Sequence, residues 1–170
     1  HHDARVAAFD RSALVEYSAE NVAMVEVIGG RWNLNRNAVE RLHGNLMDSP
    51  GHRANILNPD ITDVAMGVVR TDSGVWVTQV FVELSGALPA PLPVRMRPGQ
   101  RLNMTPTLSG WSFQHFDAKL PDNRYTVING SIPKALSGDI ELTAYGKMRG
   151  EKPGMYYIIR LPGPAVTVGR

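Results

Sequence analysis

The chain has 170 residues and a mass of 18.7 kDa, with 43 % hydrophobic and 20 % charged residues, a globular composition that excludes disorder as its main state. It contains no cysteine, which excludes disulfides, thiolate zinc sites and cysteine nucleophiles, and no apolar run approaches the ~20 residues that cross a bilayer. The formal net charge of +2 conceals a split: residues 1–85 carry 7 Arg, no Lys and 11 acids, while residues 86–170 carry 11 Lys and Arg against 5 acids, so two units of opposite sign are expected.

The chain opens at His1-His2 with neither Met nor a signal peptide and reads as a processed or incompletely covered chain. Val39, Leu42, Leu46 and Met47 recur at helical spacing with polar residues between them, which predicts an amphipathic helix over 37–48. Ser49 is a good N-cap and Pro50 suits a first helical position, so a second short helix begins there and ends at Asn58-Pro59. Val64–Arg70 and Val75–Leu84 flank the turn residues Thr71-Asp72-Ser73-Gly74 and read as a hairpin. Both faces of its second strand carry large apolar groups, Val75, Val77 and Phe81 on one and Trp76, Val80 and Val82 on the other, as expected of a central strand covered on each side.

The sharpest break is Leu88-Pro89-Ala90-Pro91-Leu92-Pro93. Ten of the 12 prolines lie from Pro89 onward, and alternate prolines favour a stiff, exposed connector. Beyond it, 124–128, 139–145 and 155–161 are rich in β-branched and aromatic residues, separated by turn clusters such as Asn129-Gly130 and Ser137-Gly138. The spacing predicts a small all-β sandwich of five or six strands. The expected division is therefore 1–87, a linker over 88–93, and 94–170.

Four segments of the first unit stand out: His1-His2-Asp3, Glu20-Asn21-Val22, Ser49-Pro50-Gly51-His52-Arg53-Ala54-Asn55-Ile56-Leu57, and Trp76-Val77-Thr78-Gln79-Val80-Phe81. In order and interval they resemble the CAP superfamily, the SCP-like, cysteine-rich secretory and pathogenesis-related family, in its cysteine-poor bacterial form. The resemblance covers residues 1 to about 85, and its most specific element is Ser49–Leu57. It implies an α+β fold, an α-β-α sandwich with a cleft lined by His and Glu, here followed by the all-β module. It implies His2, Glu20 and His52 as cleft residues, with Asn21, Asn55 and Gln79 in support.

Two imidazoles and a carboxylate are a chemically coherent set. They could hold a divalent cation such as zinc or magnesium and leave a position open, or exchange protons near neutral pH. The chain departs from the family pattern in places. Trp76 occupies the position of a further cleft His, a second Glu has no counterpart, Leu46 stands where the bacterial form has Trp, and the opening helix is missing ahead of His1.

Structural readings stand beside these. Glu20 could accept loop amides, Asn21 could bridge backbone groups, and Asn55 and Gln79 could brace the loop and hairpin. His2 could be a tag remnant or a frayed end. His52 could satisfy nearby backbone groups, and Arg53 could be an ion-pair partner. His43 reads as a packed or half-exposed structural residue, and His115, with only Asp117 near in sequence, as no metal ligand. No phosphate loop, dinucleotide fingerprint or nucleophile elbow is present, and Ser49 reads as a cap. Arg95, Arg97 and Arg101, near Trp111, Phe113 and Phe116, form a basic cluster without a nucleic-acid motif.

The expectation is an exported, extracellular or periplasmic binding protein. Its cleft would take a metal or small ligand, and its basic β module would dock on a surface or partner. The partner would be a small molecule, lipid or cell-envelope component, with no nucleic acid and no membrane span. Two alternatives remain: a metal-assisted, peptidase-like hydrolase of a cell-envelope substrate with Glu20 as general base, and a structural first unit that leaves recognition to the basic module.

Overall fold

The computed structural model describes residues 11–26 and 36–169, and among them the fold is α+β. In chain order the elements are β1 (Ala13–Glu26), α1 (Arg36–Asp48), α2 (Pro50–Ile56), β2 (Asp63–Arg70), β3 (Gly74–Ala87), β4 (Arg95–Met96), β5 (Thr107–Leu108), β6 (Ser112–Lys119), β7 (Tyr125–Ile128), β8 (Gly138–Arg149) and β9 (Tyr156–Val168). They form two compact units. One is residues 17–83; the other joins the described residues up to Glu16 with those from Leu84 onward. The divisions fall inside β1 and β3.

In the 17–83 unit, β3 lies between β1 and β2. The β2–β3 hairpin is antiparallel in continuous register from Asp63↔Val82 to Arg70↔Val75. Its turn is closed by Thr71, whose N–H donates to the Gly74 carbonyl at 2.9 Å. The α1 stripe that turns inward is Ala38, Leu42 and Leu46, spaced at i, i+4 and i+8, and Leu42 packs with Val25 of β1 and Val75 of β3. Val39, expected on that stripe, is one position off it and lies 56 % exposed.

Ser49 has the extended backbone of an N-cap, φ −88° and ψ 117°, and Pro50 follows inside α2, but the Ser49 hydroxyl makes no cap bond. Its carbonyl accepts the Arg53 N–H at 2.8 Å instead. The cap role read from the sequence is therefore carried by the backbone.

The β unit is built on a five-stranded sheet in the order β4-β9-β8-β6-β7. Leu142 and Ala144 of β8, Leu161 of β9, Phe116 and Ala118 of β6 and Ile128 of β7 face its core. Leu14 of β1 and Leu108 of β5 join the same cluster, and β5 pairs with the end of β3 through Gly86↔Leu108. β9 runs seven residues beyond the predicted Leu161, through Pro162 and Pro164. Prolines cannot donate to a ladder, and the pairing with β8 slips beside them, between Glu141 and Thr143.

Pro89, Ala90, Pro91 and Pro93 are exposed, as the composition predicts, but the two leucines of the stretch are not. Leu88 and Leu92 are 4 % and 2 % exposed and belong to the β core. Backbone bonds fix both: Leu88 N–H to Ser12 O at 2.7 Å and Leu92 N–H to Arg11 O at 3.0 Å. Pro89, Pro91 and Pro93 thus stay exposed while Leu88 and Leu92 face in.

Candidate functional site

Three supporting residues read from the sequence meet in the 17–83 unit. Asn21 of β1 is fully buried, and a buried amide must satisfy its hydrogen bonds internally. Its Nδ2 donates to the His52 carbonyl of α2 at 3.0 Å and to Gln79 Oε1 of β3 at 3.3 Å. Its Oδ1 accepts from Asn55 Nδ2 at 2.8 Å. Tyr17, also on β1, donates its hydroxyl to Asn55 Oδ1 at 3.5 Å. One short amide thus ties two strands and a helix together, and it reads as a brace.

The brace orders the candidate cleft residues by face. Tyr17 and Asn21 are four apart in an extended strand and share a side, the side that meets α2. Glu20 precedes Asn21 and leaves β1 on the other side, with the exposed Val22 and Met24. His52 is half-buried in the first turn of α2. Asn21 holds it through its backbone, so the imidazole is not spent on the brace. His2 lies outside the described residues.

These positions bear on a metal. Among the described residues no group of three or more His, Asp or Glu side chains lies close enough to hold an ion. Glu20 and His52 are the two described members of the expected set, on β1 and α2 respectively, and its third member, His2, lies outside the described residues. His43 is exposed on α1, which leaves aside the packed alternative of its reading. Arg53 is also exposed, and its carbonyl accepts the Leu57 N–H.

The β unit carries a second polar cluster on the outer face of its sheet. Asp117 is 2 % exposed, and burial of a carboxylate demands compensation. Arg160 Nε reaches its Oδ2 at 3.1 Å and His115 Nε2 its Oδ1 at 3.3 Å. His115 stacks on Tyr145 at 4.6 Å, and the Arg160 guanidinium lies 4.8 Å from the Tyr125 ring centre and 5.2 Å from that of Tyr145. Pairing in register makes this cluster, Asp117↔Thr143 and His115↔Tyr145 on one side and Tyr145↔Arg160 on the other.

Sequence reasoning saw His115 and Asp117 two apart but missed Arg160, because only the strand order brings it across. The ion pair is internally complete and reads as structural. Nearby on the turn after β6, Arg124 donates to Asp122 at 2.6 Å and holds that exposed carboxyl below its ordinary pKa.

An open cleft of about 240 Å³ lies between that turn and β8, lined by Lys119, Asn123, Asp139 and Glu141 among others. It is smaller than the ~300–1,000 Å³ of small-molecule pockets, and Lys119 and Glu141 face each other in it at 3.6 Å. The aromatics expected beside the basic cluster pack in or against the core. Phe116 is a core residue, and Trp111 and Phe113 pack against the core, while Arg95, Arg97 and Arg101 are exposed.

An α+β unit braced by a buried Asn and a separate, mostly antiparallel β unit define the class. Residues 8–81 match the model of the cysteine-rich secretory protein (CAP) family, so this part of the chain is similar to that family. No curated protein matches the chain.

Proposed function

We propose that the chain is an exported CAP-family binding protein whose first unit presents His52 to a small ligand, with the basic β unit docking on a surface of the cell envelope. The observation that carries this reading is the manner in which His52 is held. Asn21, fully buried, takes its carbonyl at 3.0 Å, which fixes the turn and leaves a half-buried imidazole for a ligand. Members of the family act largely outside the cytoplasm, which supports an extracellular or periplasmic location. Glu20, on the other side of β1 from the brace, is a poor partner for His52 in proton transfer, which favours binding over hydrolysis.

Native mass spectrometry of the protein purified from an exporting bacterial host tests this. The expected result is a small-molecule adduct on the wild type that is lost in His52→Ala, with a quenched-fluorescent peptide library left intact by both. Cleavage of the library by wild type but not by Glu20→Gln would overturn the binding reading in favour of the hydrolase.

A further inference from the structure

The β8–β9 hairpin outruns its sheet. β6 pairs with β8 only as far as Ser112↔Lys147, while β8 and β9 stay paired to Met148↔Tyr157 and Arg149↔Tyr156. Beyond Lys147 and Ile158, therefore, the hairpin is a two-stranded ribbon among the described residues. Its tip is fixed: Gly150 N–H donates to Met155 O at 2.9 Å, Met155 N–H to Lys152 O at 3.1 Å, and Gly154 takes the left-handed φ of +80° that the turn needs.

The ribbon exposes an unusual run of apolar and aromatic groups. Met148, Met155, Tyr156, Tyr157 and Ile158 are 39–57 % exposed. Directly opposed residues share a face of a ribbon. Met148 and Tyr157 therefore lie on one face, and Tyr156 and Ile158 on the other with Lys147 and Arg149. The Lys147 ammonium sits 3.5 Å above the Tyr156 ring. With Lys152 in the turn, three cations stand against one acid, Glu151.

We propose that this ribbon docks the protein on an anionic lipid surface. Apolar groups on both faces cannot be covered by one flat protein partner, but a fluid interface surrounds a wedge from every side. Tyrosines and long-stemmed lysine and arginine belong at such an interface, where the ring or stem is buried and the polar end stays wet. The charge is complementary: each cation near an anionic leaflet adds to the attraction, so cations outnumber the single Glu151 to the benefit of acidic headgroups. The ribbon lies wholly in the β unit and is independent of the ligand proposed at His52.

Co-sedimentation of the full chain with vesicles tests it. Vesicles of phosphatidylcholine with about a quarter phosphatidylglycerol should bind the protein about tenfold more tightly than phosphatidylcholine alone, and high salt should erase the difference. Met148→Ser with Tyr157→Ser, outside the core, should leave the unfolding curve unchanged and keep the protein in the supernatant. Lys147→Gln with Arg149→Gln keeps the apolar tip and should lose only the preference for phosphatidylglycerol. Three results would overturn the proposal: wild type that does not pellet with either vesicle, a tip variant that pellets like wild type, or a tip variant whose one effect is to abolish a dimer seen by light scattering.

Discussion

Asn21 has no charge to lose on burial, and its amide makes three of the four hydrogen bonds open to it. Its replacement by Ala takes a partner from the His52 carbonyl, Gln79 Oε1 and Asn55 Nδ2 at once, which costs about 1–3 kcal/mol because half-buried groups regain water only in part. Asn21→Asp is the sharper test. A carboxylate keeps the bond from Asn55 but cannot donate to His52 or Gln79, so urea unfolding should show a loss at least as large as that of the Ala variant. An Asp variant as stable as wild type would show that the amide's donors carry nothing. The motif made Asn21, Asn55 and Gln79 legible as a group, since each lies in a different one of the four conspicuous segments. The direction of Glu20 was not legible, because it follows from the parity of an extended strand that the segment's composition does not announce.

At the scale of elements, local chemistry was the readable part. Ser49-Pro50 marked the start of α2, and Thr71–Gly74 marked the hairpin turn, because caps and turns depend on backbone geometry within a few residues. Contacts across the sheet were not readable. The burial of Leu88 and Leu92 within a proline run, and the junction of Arg160 with Asp117, depend on pairings many residues apart. Glycines show the same division within single elements. Gly44 lies inside α1 with nothing within 4 Å of an added Cβ, so Gly44→Ala should stabilise by about 0.5–1 kcal/mol through helix propensity. Gly146 lies in β8, where an added Cβ would meet Ile159 Cγ2 at 2.9 Å, Leu108 Cδ1 at 3.0 Å and Trp111 Cβ at 3.1 Å, so Gly146→Ala should destabilise by about 1–3 kcal/mol by overpacking. Thermal unfolding of the two variants should give shifts of opposite sign, and equal signs would refute the packing described around β8.

At the scale of the molecule, the chain enters the β unit twice. Residues up to Glu16 and those from Leu84 onward are one compact body, so the first described residues and the last strand belong to the same core. Arg11 shows how closely they are joined. Its Nε donates to Leu92 O at 2.6 Å and its Nη2 to Pro93 O at 2.8 Å and Ala165 O at 2.9 Å. Leu14, Leu88 and Leu92 are all buried in that core, each contributing about 2 kcal/mol of burial, and their sum is comparable with the ~5–15 kcal/mol by which a whole domain is stable. A fragment cut at the prolines, residues 94–170, lacks all three leucines and the β3 end that pairs with β5. It should therefore be unfolded, with collapsed amide dispersion in its NMR spectrum, although it contains the whole five-stranded sheet. Leu14→Ala in the full chain makes the same point without a cut and should cost about 2–5 kcal/mol, felt at the amides of β8 and β9. A well-dispersed spectrum and a cooperative melt from 94–170 would show instead that the sheet closes its own core, and that the strand starts at Ala13 and ends at Ala87 only lie against it.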